Sequence, residues 1–232
     1  MISVCIATYN GEKHIKEQLN SIIPQLEKND EIIISDDASS DNTVKVIESY
    51  NDNRIKIFKN DRTIGVIKNV ENCLKKSHGK TIFLADQDDV WVHNKVEICL
   101  NLLEKFELIV SDCFVTDENL NIISDSFYKI NNSQKTKVGA LIRNSYLGCC
   151  MAFNRSILNK ALPFPANIPM HDIWIGNVAA FYYSVKFIPD KLIYYRRHGN
   201  NASTASEHST SSIGEKIQYR TSVVKSLLKR IG

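Results

Sequence analysis

The sequence lacks any stretch of the roughly 18 consecutive apolar residues that a bilayer-spanning helix needs. It also lacks a Cys-x-x-Cys pair. Cys5, Cys73, Cys99, Cys113, Cys149 and Cys150 are scattered through apolar runs, the pattern of reduced, buried thiols rather than of a disulfide framework or a zinc site. Met1 to Ala7 has neither the basic flank nor the apolar length of a signal peptide, and reads as a first strand. The expected compartment is therefore the cytoplasm, where the Asn-x-Ser sequons at Asn131, Asn154 and Asn201 are chance matches. Neither a G-x-x-x-x-G-K phosphate loop nor a G-x-G-x-x-G dinucleotide fingerprint occurs. The net charge of +3 is too small to argue for nucleic acid, and five basic residues against one acidic residue between 213 and 232 account for it.

What the chain does have is an ordinary globular composition, 43% hydrophobic and 24% charged, over a length suited to one α/β domain. Short apolar runs alternate with helical patterns. Strands are expected at residues 2–7, 31–35, 55–58 and 81–85. Helices are expected at 12–26, through Val44 and Ile47, at 66–76, and at 93–106. This rhythm implies right-handed βαβ units and a mostly parallel sheet with helices on both faces. Beyond Leu108 the rhythm changes. Residues 108–114 and 146–153 read as strands, with a polar loop at 119–137 between them. A short helix at 155–161, a helix at 171–182 and strands at 185–188 and 192–195 follow. The Ser/Thr-rich segment 203–212 reads as a flexible linker, and 213–232 as a basic amphipathic helix.

In a parallel α/β sheet, ligands gather at the carboxyl ends of the strands. Three polar clusters fall there: Thr8-Tyr9-Asn10-Gly11, Asp36 to Thr43, and Asp86-Gln87-Asp88-Asp89. Three carboxylates within four residues repel one another unless a cation sits among them, and hard oxygen ligands suit Mg²⁺ or Mn²⁺. The plainer alternative is a helix-capping aspartate ahead of a helix at Trp91. Ser40, Asp41 and Thr43 are well explained as caps of the next helix. Asp36 and Asp37 are not, and a carboxylate at that edge can accept the N3–H of a pyrimidine base. Arg196 and Arg197, ending a strand, are cations suited to neutralising a leaving diphosphate, or simply surface charge.

These motifs, together with Gly148 to Arg155, His171-Asp172-Ile173-Trp174 and Tyr195 to Asn201, resemble the family 2 glycosyltransferases, in the right order over residues 1–201. Within the family the sequence most resembles the rhamnosyltransferase-like branch, whose members build bacterial surface polysaccharides. The resemblance implies a GT-A fold, a UDP- or dTDP-sugar donor (dTDP-rhamnose among the candidates), Mg²⁺ or Mn²⁺, and inversion at the anomeric carbon. It implies that Thr8, Tyr9 and Asn10 line the nucleotide pocket and that Asp36 or Asp37 binds the base. Asp86 and Asp88 correspond to the D-x-D pair, with Asp88 the direct metal ligand and His198 a further one. Asp172 corresponds to the general base. Ile173 departs from the aromatic residue often found in this branch, which bears on acceptor choice.

Read from the residues alone, Asp172 is either an N-cap or a base. Its pKa would be lowered by the helix dipole and raised by desolvation. His171 and Trp174 are acceptor-side candidates, with Trp174 reading rather as core than as a sugar-stacking platform. The stripe Ile213, Ile217, Val224, Leu227, Leu228 and Ile231, opposite Lys225 and Lys229, fits either peripheral membrane contact near a lipid-linked acceptor or packing on the domain. The expected organisation is thus a glycosyltransferase domain at 1–202, divided into a nucleotide-sugar half (1–107) and an acceptor half (108–202), then the linker and the helix. A sugar-nucleotide pyrophosphorylase is disfavoured, because Thr8 to Glu12 is not its Gly-rich basic loop. A non-catalytic carbohydrate- or nucleotide-sugar-binding protein gives no reason to gather Asp86, Asp88, Asp172 and His198.

Overall fold

The computed structural model describes residues 1–133, 136, 139, 144–197 and 213–230. The first half builds four parallel strands, β1 (Ile2–Thr8), β2 (Glu31–Asp36), β3 (Ile55–Lys59) and β4 (Thr81–Asp86), in the order β3-β2-β1-β4. Their crossovers are α1 (Ile15–Ile22), α2 (Thr43–Glu48) and α3 (Val66–Lys76). β2 is buried along its whole length, which is why Ile32, Ile33 and Ile34 run consecutively rather than alternating with polar residues. Each such side chain removed from water contributes about 1.5–3 kcal/mol. α1 buries Ile15, Leu19 and Ile22 at helical spacing, and the buried Gln18 on the same face donates to the Asp86 carbonyl at 2.7 Å.

The second half adds β5 (Val90–Trp91), α4 (Lys95–Leu103), β6 (Leu108–Thr116), β7 (Ile122–Ser124), α5 (Phe127–Asn131), β8 (Met151–Asn154), α6 (Leu158–Ala161), α7 (His171–Tyr182), β9 (Val185–Arg196) and α8 (Ile213–Leu228). The sheet continues β4-β8-β6-β9-β5, with β7 beside β6. β8 runs antiparallel to β4 and β6, and β5 antiparallel to β9. The parallel arrangement therefore belongs to β1–β4 and to the β6/β9 pair, and the whole sheet is mixed.

Several expectations are corrected here. The stretch 119–137 is not simply a loop, since β7 and α5 lie within it. α5 is fixed by Ser126, whose hydroxyl accepts from the Lys129 amide and donates to Asp112 at 2.5 Å. Residues 185–188 and 192–195 form one strand. β6 and β9 shift register between Val110/Phe187 and Asp112/Lys191, and that bulge accommodates Pro189. Trp91 opens no helix; it pairs with Ile193 in the sheet, and the helix begins at Lys95. The helix at 213–228 packs on α7 through the buried Val223 and Leu227, with the Tyr182 hydroxyl donating to the Leu227 carbonyl at 2.5 Å. Leu228, assigned to the same stripe as Leu227, is exposed. The proposed linker 203–212 lies outside the described residues. All six thiols are free and buried. Among the described residues no helix is long and apolar enough to cross a membrane.

Candidate active site

Strand register brings the three polar clusters level. Thr8 at the end of β1 pairs with Asp36 at the end of β2, and Ala7 pairs with Asp86 at the end of β4. The loops beyond these ends are interlocked. The Asn10 amide donates to Ser39 Oγ at 2.9 Å, and Asn10 Oδ1 accepts from the Ser40 amide at 2.9 Å. The Gly11 amide donates to Thr43 Oγ1 at 2.7 Å, and the Glu12 amide to Asp41. Asn10 adopts φ +47°, a left-handed conformation that asparagine tolerates better than most residues.

Asp36 and Asp37 hold these loops. Asp36 accepts from Thr8 Oγ1 at 2.8 Å, from the Ser39 amide at 2.9 Å and from Ser39 Oγ at 2.6 Å. Asp37 accepts from the Ile64 and Gly65 amides at 2.8 and 2.9 Å and from the Asn60 side chain. The structural explanation that the sequence did not offer for this pair is therefore substantial. Tyr9 is half exposed, with its ring available at the rim.

The Asp86–Asp89 segment carries three carboxylates and, between them, Gln87. Gln87 accepts from the Tyr9 amide at 2.9 Å and donates to the Tyr9 carbonyl at 3.1 Å, coupling the β4 and β1 loops. A Cβ on Gly11 would stand 2.3 Å from Gln87 Oε1, so any larger residue here would push the Gln87 amide off the Tyr9 backbone. The carboxyl of Asp86 is pushed up to about 7 by burial, and further by the charges of Asp88 and Asp172. Burial and then Asp88 and Asp86 likewise push Asp89 well up. Asp89 Oδ1 accepts from the Arg196 amide at 2.9 Å, while its buried Oδ2 has no hydrogen-bond partner among the described residues. Crowded carboxyl groups that repel one another, one with an orphaned oxygen, fit a divalent cation. Sequence reasoning counts Asp89 among the clustered carboxylates without giving it a role of its own, and misses Cys149, whose sulfur lies within 4.8 Å of ligand atoms of Asp86 and Asp89.

Asp172 reaches the same place from the opposite half. It sits in the first turn of α7, not at the N-cap, which is Met170. Its Oδ1 accepts from the Ile173 amide at 2.6 Å, and that bond and the Gly148 amide favour the carboxylate. Burial outweighs both and lifts the carboxyl to about 7. Beside it, burial lowers His171 to about 4, so the ring is neutral at physiological pH, and its Nδ1 is buried without a partner among the described residues. A Cβ on Gly148 would lie 2.8 Å from His171 Nε2 and 3.6 Å from Asp172 Cβ, so this glycine lets the turn before β8 pack against the start of α7.

Two expected roles change. Trp174 is fully buried and donates to the Ala161 carbonyl at 2.8 Å; it is core and presents no face to an acceptor. Arg196 is buried, donates Nε to the Asp88 carbonyl at 2.7 Å, and binds Glu17 and the Glu118 carbonyl. Its charge is engaged within the protein rather than displayed to a diphosphate. Arg197 is partly buried, its amide held by the Thr116 carbonyl at 2.9 Å. His198 lies outside the described residues. A groove of about 1010 Å³ lined by Met1, Glu31 and Arg54 is at the amino ends of β1 and β2, away from all of these groups.

A mixed sheet whose parallel half ends in a polar edge, faced by an acidic residue from a second half, is the GT-A arrangement. The profile of glycosyl transferase family 2 matches residues 3–162, and the chain belongs to that family. It is 28% identical over 175 residues to the UDP-Glc:alpha-D-GlcNAc-diphosphoundecaprenol beta-1,3-glucosyltransferase WfgD of Escherichia coli, covering 71% of this chain and 64% of WfgD. The match to WfaP, an enzyme of the same description from E. coli, is 28% over 232 residues, covering 95% and 89% of the two chains. Among solved structures, S. aureus TarS in complex with UDP-GlcNAc superposes with a TM-score of 0.71 at 18% identity, covering 98% of this chain and 72% of TarS. The mannosyltransferase PcManGT of Pyrobaculum calidifontis, in complex with GDP-Man and Mn²⁺, does so at 0.65 and 19%, covering 83% of this chain and 56% of its own.

Proposed function

We propose that this protein transfers a sugar from a nucleoside diphosphate sugar to a hydroxyl of a glycan or lipid-linked acceptor in surface polysaccharide synthesis. The observation that carries this reading is the meeting of Asp172 with Asp86: a buried carboxyl near neutrality placed against the acidic end of β4. A UDP-sugar is favoured over a dTDP-sugar, because WfgD and WfaP carry UDP-Glc in their descriptions and TarS was solved with UDP-GlcNAc. The lipid-linked acceptor rests on the diphosphoundecaprenol acceptor in the same descriptions.

In this reading Thr8, Tyr9 and Asn10 border the nucleoside, and the loops organised by Asp36 and Asp37 frame the base. Asp88 and Asp86 would hold Mn²⁺ or Mg²⁺, with His198 as a further ligand, and Arg197 would help to neutralise the diphosphate. A cation bound there supplies Lewis-acid stabilisation of the departing diphosphate. Asp172 takes the proton of the acceptor hydroxyl, whose oxygen forms a bond to the anomeric carbon. The bond from that carbon to the diphosphate oxygen breaks on the opposite face, and the configuration inverts. The N-terminal turn of α7 favours the ionised carboxylate while burial raises its basicity, and a base titrating near 7 is matched to neutral pH. The C-terminal helix, with Lys225 and Lys229 outward, would sit at an anionic membrane face that carries the acceptor.

The test is a panel of nucleotide sugars, UDP- and dTDP-linked, assayed for thermal stabilisation and for release of nucleoside diphosphate with an undecaprenyl-diphosphate-linked acceptor, with and without Mn²⁺. Stabilisation and turnover by at least one donor are expected. Metal-dependent binding with no turnover on any acceptor would favour a non-catalytic binding protein.

A further inference from the structure

We propose that Asp86, Asp89 and Cys149 form an inner cation site, sharing Asp86 with the outer position at Asp88, that takes a thiophilic divalent ion such as Zn²⁺ or Cd²⁺. The three residues come from three places in the fold, the end of β4, the turn into β5 and the 3-10 turn before β8, and their ligand atoms lie within 4.8 Å of one another. A zinc ion bonds sulfur at about 2.3 Å and carboxylate oxygen at about 2.0–2.2 Å, so at tetrahedral angles its ligand atoms stand roughly 3.5 Å apart. The ligand atoms of the group, within 4.8 Å of one another, would draw in on a bound ion.

A second observation points to a ligand. Asp89 is completely buried, and its Oδ2 has no partner among the described residues, although Oδ1 is satisfied by the Arg196 amide. A buried carboxylate oxygen left open is costly, and a cation is the ligand that would satisfy it. The frame around it is fixed. Lys95, fully buried and stacked 4.6 Å over the Trp91 ring, donates to the Cys149 carbonyl at 2.7 Å, and Gln18 holds the Asp86 carbonyl. The sulfur decides the class of ion, because thiolate ligands select Zn²⁺ and softer cations where Mg²⁺ takes oxygen. On binding, the Cys149 thiol releases its proton to solvent and the sulfur lone pair bonds the metal.

The full chain, stripped with chelator and then titrated with Cd²⁺, should develop a sulfur-to-cadmium charge-transfer band saturating at one ion per chain. Cys73→Ser, a buried thiol elsewhere, should keep the band, and Cys149→Ser should lose it. No band in the unaltered chain, or a band that survives in Cys149→Ser, overturns the proposal. So that a folding defect in Cys149→Ser does not decide the matter, zinc-edge X-ray absorption on the unaltered chain supplies a second reading. One sulfur at about 2.3 Å is expected, and a shell of oxygen and nitrogen alone overturns the site. Neither measurement reads turnover, so its failure and a failure of the sugar-transfer reading are distinguishable.

Discussion

Gln87 bonds the backbone of Tyr9 in both directions, accepting at 2.9 Å and donating at 3.1 Å. One side chain thus joins the loop after β1, proposed to border the nucleoside, to the acidic end of β4. Gln87→Ala should loosen the donor pocket while leaving the acid–base groups in place. Two exchanged hydrogen bonds at about 0.5–1.5 kcal/mol each predict a rise in donor KM of roughly tenfold, with kcat changed much less. Steady-state kinetics with varied donor checks this. Gly11→Ala, whose Cβ would collide with Gln87 Oε1, should produce the same pattern.

Gly148→Ala tests the seat of Asp172. The added methyl would stand 2.8 Å from His171 Nε2, on a ring packed in the interior, so the start of α7 must shift. Overpacking of this kind costs about 1–3 kcal/mol of stability. The expected outcome is a protein that folds, melts a few degrees lower, and turns over much more slowly while still binding donor.

The acid side of stability should depend on Glu31. Burial alone would raise its carboxyl, but the Lys56 ammonium, the Ser3 hydroxyl and the His78 amide prevail and hold it at about 2. A folded-state pKa below the unfolded value means that this contribution is fully present above about 4.5 and is lost as pH falls toward 2. Denaturant unfolding between pH 6 and pH 3 should show a steeper loss in the unaltered chain than in Glu31→Gln; equal slopes would refute the assignment.

Arg196→Ala should destabilise the fold rather than weaken diphosphate binding selectively. The guanidinium satisfies the Asp88 and Glu118 carbonyls and Glu17, and its removal strands those groups at about 2–4 kcal/mol. A variant with an unchanged melting temperature and a raised donor KM would return Arg196 to the diphosphate.

Arg196 also marks the limit of what the sequence reveals. The strand ends were legible, because Ile32–Ile34 and the run before Asp86 are apolar blocks that stop abruptly at carboxylates, and register then brings those carboxylates together. The helix that carries Asp172 was legible from its periodicity, whereas the choice between cap and base came only from the family resemblance. The partners of charged groups were not. Arg196 meets Glu17, 179 residues away, and Asp37 caps amides 27 and 28 residues downstream. Such pairings are set by tertiary packing and leave no local period. Likewise Gln87, Asp89 and Cys149 gain their roles from close approaches between loops, and the short elements β7 and α5 carry too few residues to show a periodicity. Pro189 divided β9 in the sequence because the bulge that accommodates it is a property of pairing with β6.

The most direct test of the account is the pair of donor binding and turnover in Asp172→Asn. In the proposed mechanism the ionised carboxylate acts as the base, so turnover in the unaltered chain should rise with pH through about 7, the value to which burial lifts this group. Asp172→Asn should bind UDP-sugar with Mn²⁺ nearly as well as the unaltered chain by calorimetry. It should lose roughly a hundred- to ten-thousandfold in kcat and show no rise through neutrality. Near-normal turnover in that variant, with the same pH profile, would contradict it.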